Sequence, residues 1–220
     1  MSTVLVTGSN RGIGFALCKE FKARGDAVIA TCRKSSPELD ALGVEIVAGV
    51  DGTSDESVAG LARRLAERRI DVLVLNAGIL REDNLGTLNL RTVGEQIAVN
   101  AIAPLRVAHE LVSYLHAGSK IALITSRMGS IGDNGSGAYY GYRMSKAALN
   151  AMGVSLARDL HDRGVAVAVL HPGYVRTDMT GHAGNIDARD AARLLIARID
   201  ELTLKTSGSF WHANGERLPW

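Results

Sequence analysis

Short runs of apolar, β-branched residues alternate along this chain with stretches of helical periodicity, and that alternation limits the fold more than any other feature. Thr3 to Thr7, Ala27 to Cys32, Val44 to Val47, Asp71 to Leu75, Lys120 to Thr125 and Val165 to Leu170 read as strands, with Ser209 to His212 as a short last one. Helices are expected over Phe15–Arg24, Asp55–Arg69, roughly Arg91–Leu115, about Tyr139–Arg163 and Asp187–Leu202. Ser54 stands where a helix cap belongs, and Gly25 and Gly164 stand where helices stop. Strands that are apolar throughout, separated by helices, form a parallel sheet covered on both faces. Right-handed crossovers then give an α/β, doubly wound (Rossmann) sheet of about seven strands, with its ligand at the carboxyl edge. The 220 residues contain no repeat and no linker-like composition, so one domain spanning residues 1–220 is expected, with Gly129 to Gly137 as a loop.

Several function classes fall away on composition. A formal charge of +2 is too small to make nucleic acid or membrane the main partner. No apolar run approaches the length of a membrane span, and the first strand starts at residue 3 without a basic leader. Cys18 and Cys32 form no CxxC pair and read as small buried side chains, so a cytoplasmic setting is expected. The six histidines show no metal-ligand spacing, and no metal is expected.

Two segments carry chemistry. The first is Gly8-Ser9-Asn10-Arg11-Gly12-Ile13-Gly14, set between a strand and a helix start. A pyrophosphate fits such a place, on exposed backbone N–H groups at the positive end of a helix, and glycines permit the tight turn. The spacing is Gly-x-x-x-Gly-x-Gly, not the commoner Gly-x-Gly-x-x-Gly. The second is Tyr142 with Lys146, four residues apart on one helical face. A free phenol has a pKa of about 10, and a nearby cation lowers it toward a range useful for proton transfer. Tyr139 has Arg143 at the same spacing, but arginine does not usefully deprotonate and Tyr139 lies near the helix start.

Thr7 to Gly14, Asn76-Ala77-Gly78, Asn100, Ser126, Tyr142 to Lys146 and Pro172-Gly173 to Thr177 together resemble the short-chain dehydrogenase/reductases, in that family's order and over nearly the whole chain. The stretches Thr125 to Ser130 and Tyr139 to Lys146, with the ending Gly215 to Trp220, are similar to its C-factor and sniffer-type carbonyl reductase branch. The resemblance implies an oxidoreductase moving a hydride between NADP(H) and a small to medium carbonyl or alcohol. Tyr142 would be the general acid/base. Lys146 would also hold the nicotinamide ribose, Ser126 the substrate oxygen, and Asn100 a water linking Lys146 to solvent. Asn100 alone also reads as a bend before Pro104. Ser126 precedes Tyr142 by sixteen residues, a wide spacing that the loop at Asp133 to Gly137 absorbs; Ser130 is the alternative.

The same resemblance gives Asp51 the adenine, Asn76, Ala77 and Gly78 the wall behind its ribose, and Val175 and Thr177, after Pro172 and Gly173, the nicotinamide carboxamide. An NAD site usually carries an acid at the end of the second strand, yet this chain reads Thr31-Cys32-Arg33-Lys34 there. Arg33 with Arg11 suits a 2′-phosphate, so NADP(H) is the expected cofactor, with NAD(H) possible. Met128, Tyr139 and Tyr174 are candidates to line the substrate pocket. The family implies a homodimer or homotetramer paired through the helices around Arg91–Leu115 and Tyr139–Arg163. A dinucleotide-binding signalling protein of the C-factor kind, with no need for turnover, is the other reading.

Overall fold

The computed structural model describes residues 1–220. In chain order the elements are β1 (Thr3–Thr7), α1 (Gly12–Ala23), β2 (Ala27–Cys32), α2 (Pro37–Asp40), β3 (Glu45–Ala48), α3 (Asp55–Leu65), β4 (Ile70–Leu75) and α4 (Leu90–Ile97). A π turn over Ala98–Ile102 leads into α5 (Ala103–Leu111), then β5 (Leu115–Ile124), α6 (Tyr140–Asp159), β6 (Ala166–His171), β7 (Val175–Arg176), β8 (Ile186–Asp187), α7 (Ala188–Glu201) and β9 (Phe210–His212). Seven strands form one parallel sheet in the order β3-β2-β1-β4-β5-β6-β9. The Rossmann expectation is met.

Strand residues at i and i+2 share a face, so each apolar run feeds two cores. Leu5, Ile29, Leu73, Ile121, Leu123 and Val167 pack with residues of α3, α5 and α6, such as Leu61, Leu111 and Leu149. Val4, Val6, Val28, Val74, Ile124 and Leu170 point the other way, against Leu17 and Phe21 of α1 and Leu195 and Ile199 of α7. The chain winds outward from β1 to β3, then returns to lay β4 on the other side of β1. The carboxyl ends of β1 and β4 therefore flank the switch point, where an open α/β sheet leaves its crevice.

Six of the seven expected strands, and the helix expected over Asp187–Leu202, lie within one residue of their observed positions; the other long helices do not. Arg91–Leu115 is divided into α4, the π turn, α5 and a 3-10 turn at Val112–Tyr114. Pro104 has no N–H, so the bond it would donate to the Asn100 carbonyl in a regular helix is missing, and the backbone widens there. Leu115 already pairs with Ile70, while Val72 pairs with Lys120, so β5 bulges between them. Ser119 fills that bulge, its hydroxyl accepting from the His116 N–H and donating to the Ile70 carbonyl. Helix α3 stops at Leu65, short of Arg69, because Ala66 takes φ +52°. The short α2 and the β7–β8 pair carry no sequence pattern long enough to read.

Candidate active site

The turn from β1 to α1 is built on close backbone approach. Gly8 takes φ +68° and Gly12 φ +55°, and a methyl group on Gly14 would stand 2.2 Å from the Gly8 carbonyl oxygen. Asn76, at the end of β4, donates to the carbonyls of Thr7 (2.9 Å) and Gly8 (3.2 Å), and the Thr7 hydroxyl accepts from the N–H groups of Asn76 and Ala77. The buried Ser9 hydroxyl donates to Val6 at 2.6 Å. Arg11 opens α1 without a side-chain cap, and no acid sits in the first turn. Helices α3, α4 and α7 are capped by Ser54, Asn89 and Asp187. The head of α1 thus keeps backbone N–H groups for an anion, as a pyrophosphate requires, and the residues present fit a dinucleotide.

At the next strand ends, Arg33 is exposed and has no carboxylate within ion-pair distance, whereas Arg11 pairs with Asp178 at 3.0 Å. Asp51 accepts from the N–H and hydroxyl of Thr53. These bonds, with the charges of Arg33 and Arg106, hold its carboxyl below the usual range. The loop after β6 closes on the same turn: Thr177 lies against Gly12, and its reciprocal bonds with Thr180 fix the short helical turn that carries Asp178.

The other side chains meet where β5 ends. Ser126 follows β5, and its hydroxyl accepts from the Met128 N–H and contacts the Tyr142 phenol. Ser130 points elsewhere, capping the loop through the Asp133 N–H. Tyr142 and Lys146 are 8% and 4% exposed. The ammonium donates to the Ile124 carbonyl at 2.9 Å and lies 5.8 Å from the phenol ring centroid. The depressed phenol pKa expected from this cation does not appear. Burial pushes the phenol up to about 12, against a smaller lowering by Ser126, and pushes the lysine down to about 8. Asn100 is fully buried in the π turn. Its amide accepts from the Ile79 N–H (2.8 Å) and donates to the Ile79 carbonyl (2.8 Å) and the Ser145 hydroxyl (2.9 Å).

A continuous path links the two centres. Gly8 is in close contact with Ala77, and the next residue, Gly78, stands against the Asn100 amide oxygen and the Lys146 ammonium. Glycine turn, lysine and phenol therefore share the carboxyl edge of the sheet. Tyr139 lies near both Glu82 and Tyr174, and burial, followed by the Glu82 charge, raises its pKa. Met128 is half-buried beside Ser126, and Tyr174 is 52% exposed.

Further residues reach this edge without a sequence signal. Asp83 bonds to the start of α6 from a loop with no periodicity. Arg143 spreads its guanidinium over the Gly137, Ala138 and Met128 carbonyls and the Ser136 hydroxyl. Arg127 bridges Asp133 and Glu216. His171 meets His212 edge to face at 4.9 Å, and burial, with the charges of His212, Arg127 and Lys146, pushes its imidazole down to about 3. Only the proline beside His171 hinted at its place.

A sequence profile described as short chain dehydrogenase matches residues 2–186. The 1-hydroxy-2-glutathionyl-2-methyl-3-butene dehydrogenase of Rhodococcus sp. (strain AD45) is 42% identical over the full length of both chains. The C-signal protein of Myxococcus xanthus is 39% identical over 69% of this chain and 93% of its own. Among solved structures, the carbonyl reductase Sniffer of D. melanogaster superposes with a TM-score of 0.94 at 27% identity, covering 100% of both chains. The NADPH-bound carbonyl reductase from chicken fatty liver gives 0.91 at 28%, covering 100% of this chain and 99% of that one. Both the sheet topology and these likenesses lead to one conclusion: the chain belongs to the short-chain dehydrogenase/reductase family of oxidoreductases.

Proposed function

We propose that this protein is an NADPH-dependent reductase of small to medium carbonyl compounds, with one domain over residues 1–220 carrying both the cofactor site and the reacting groups. The observation that carries the reading is the convergence of Ser126, Tyr142 and Lys146 one short path from the uncapped head of α1. A reduced nicotinamide cofactor held there would supply the hydride. Tyr142 gives its proton to the carbonyl oxygen, and the Ser126 hydroxyl stabilises the charge developing on that atom. A phenol pushed up to about 12 is fully protonated at neutral pH, which suits a proton donor. Lys146 holds the nicotinamide ribose and, still largely protonated below its value of about 8, returns a proton to Tyr142. Asn100 keeps the π turn in place beside Lys146 and holds the water that connects the lysine to solvent.

Gly8 to Gly14 receive the pyrophosphate. Asp51 receives the adenine, Asn76 to Gly78 back its ribose, and Val175 and Thr177, after Pro172 and Gly173, receive the carboxamide. Arg33 favours a 2′-phosphate because no carboxylate stands within ion-pair distance of it; Arg11 joins it by exchanging Asp178 for the phosphate. NADPH-bound and NADP-bound structural relatives support this choice over NAD(H). Met128, Tyr139 and Tyr174 bound the substrate space. The Rhodococcus relative's name adds alcohols bearing a glutathionyl group to the compounds to be tried, in the oxidative direction.

Exposed Ile102 and Leu105 on the α4–α5 side and Met144 on α6 support a homodimer or homotetramer, which sedimentation would resolve. No helix is long and apolar enough to cross a membrane, and a cytoplasmic setting remains our reading.

The test is NADPH consumption over a panel of ketones, aldehydes and quinones, with the parent and Tyr142→Phe. Loss of the acid should reduce kcat by roughly 100-fold or more while the NADPH Kd stays within about twofold. Equal turnover by the two proteins would reject the assignment of Tyr142. The likeness to C-signal favours a second reading, a dinucleotide-binding signalling protein; tight NADPH binding without turnover of any compound would select it.

A further inference from the structure

We infer that Asp83 is a positioning residue for the proton donor, holding the first turn of α6 in the one orientation that brings the Tyr142 phenol to Ser126. The inference rests on the reading of Tyr142 as that donor.

Helix α6 cannot set its own start. It is entered through Ala138 and Tyr139, both non-glycine residues at φ +53°, and Tyr139 offers no side-chain cap. Two consecutive left-handed residues without glycine are a strained entry that must be held from outside. Asp83 holds it. Its carboxylate accepts from the Tyr140 N–H at 2.5 Å and the Gly141 N–H at 3.2 Å, and its backbone carbonyl accepts from the Tyr139 N–H at 2.8 Å. Three consecutive N–H groups at the head of the helix thus end on one residue, and Tyr142 is the next residue along.

Asp83 is 5% exposed and has no cation within ion-pair distance. A buried carboxylate without a countercharge is costly unless N–H donors answer it, and here the head of α6 supplies them. The charge and the helix start therefore fix each other.

The segment that carries Asp83 is itself anchored at the other reacting groups. It leaves the end of β4 at Gly78, beside Lys146, and is bonded through Ile79 to Asn100 and through the Arg81 N–H to the Gln96 amide at 2.9 Å. Gln96 in turn packs against Gly141. Residues 78–83 form a strap running from the cofactor side of the crevice to the helix bearing the phenol. A displacement of the first turn of α6 would move the phenol relative to Ser126 and leave the head of α1 unchanged.

The test compares parent, Asp83→Asn and Asp83→Ala, with Asp83→Asn as the variant expected to fold in any case. Amide hydrogen exchange at Tyr140, Gly141 and Tyr142 should accelerate at least tenfold in both variants, while exchange in β1 stays unchanged. With NADPH saturating, kcat should fall at least tenfold in Asp83→Ala and less in Asp83→Asn. KM and the NADPH Kd should stay within twofold, and the solvent isotope effect on kcat should rise as proton transfer slows. A residue that merely stabilised the fold would lower the active fraction and leave the isotope effect alone. Unchanged exchange at residues 140–142 overturns the inference, as does faster exchange with an unaltered kcat and isotope effect. A parent without carbonyl turnover would instead defeat the functional reading, and the exchange measurement would still decide whether Asp83 holds the helix.

Discussion

Replacing Lys146 with methionine should abolish turnover and at the same time make the protein more stable at pH 7. The ammonium is 4% exposed, and burial moves it from an ordinary 10.5 down to about 8. Each pKa unit corresponds to about 1.4 kcal/mol, so at pH 7, where the lysine is charged in both folded and unfolded chains, its burial costs about 3 kcal/mol. Methionine fills similar volume without the charge. It also forfeits the 2.9 Å bond to Ile124, a loss of about 1 kcal/mol. The variant should therefore gain about 2 kcal/mol at pH 7.

The sign of the pH dependence follows from linkage. Between the folded value of about 8 and the unfolded 10.5 the unfolded chain binds the extra proton, so the parent gains stability as pH rises through that window. Cys18, raised from 9.0 to about 11, and Tyr142, raised from 10.0 to about 12, act oppositely but only above pH 9 and pH 10. From pH 7 to pH 9 the gap between variant and parent should narrow by about 1 kcal/mol. Urea unfolding of both proteins at the two pH values, without cofactor, measures it. A variant less stable than the parent at pH 7, or a gap that ignores pH, would refute the reasoning.

Two further outcomes are expected. Arg33→Ala should lower the ratio of NADPH to NADH catalytic efficiency by about tenfold, the worth of one charge-assisted contact; an unchanged ratio in paired steady-state assays would remove Arg33 from the cofactor site. Asn100→Ala orphans the Ile79 N–H and carbonyl in a buried setting and should cost about 3 kcal/mol in urea unfolding, whereas a loss below about 1 kcal/mol would mean that the π turn holds its shape without the amide.

The layered sheet, the glycine turn, and the placing of Tyr142 and Lys146 on one helical face are legible in the chain alone. These are local facts: a period of two or of 3.6 residues, a strand running into glycines, a spacing of four. The resemblance preferred Ser126 and kept Ser130 as the alternative; the contact with the phenol comes from Ser126. The rest is set by contacts between segments far apart in the chain. The break at Ala98–Ile102 depends on Pro104 together with an amide bonded to a segment twenty-one residues earlier. The start of α6 depends on Asp83, fifty-seven residues before it, in a stretch with no pattern of its own. The protonation of the phenol depends on how deeply the packed sheet and helices enclose it, and burial there outweighs the lowering by the Ser126 hydroxyl. Periodicity in a chain encodes which face turns inward. It does not encode which distant backbone group meets which side chain, or how far water is excluded, and those two quantities set the geometry and the acidity of this site.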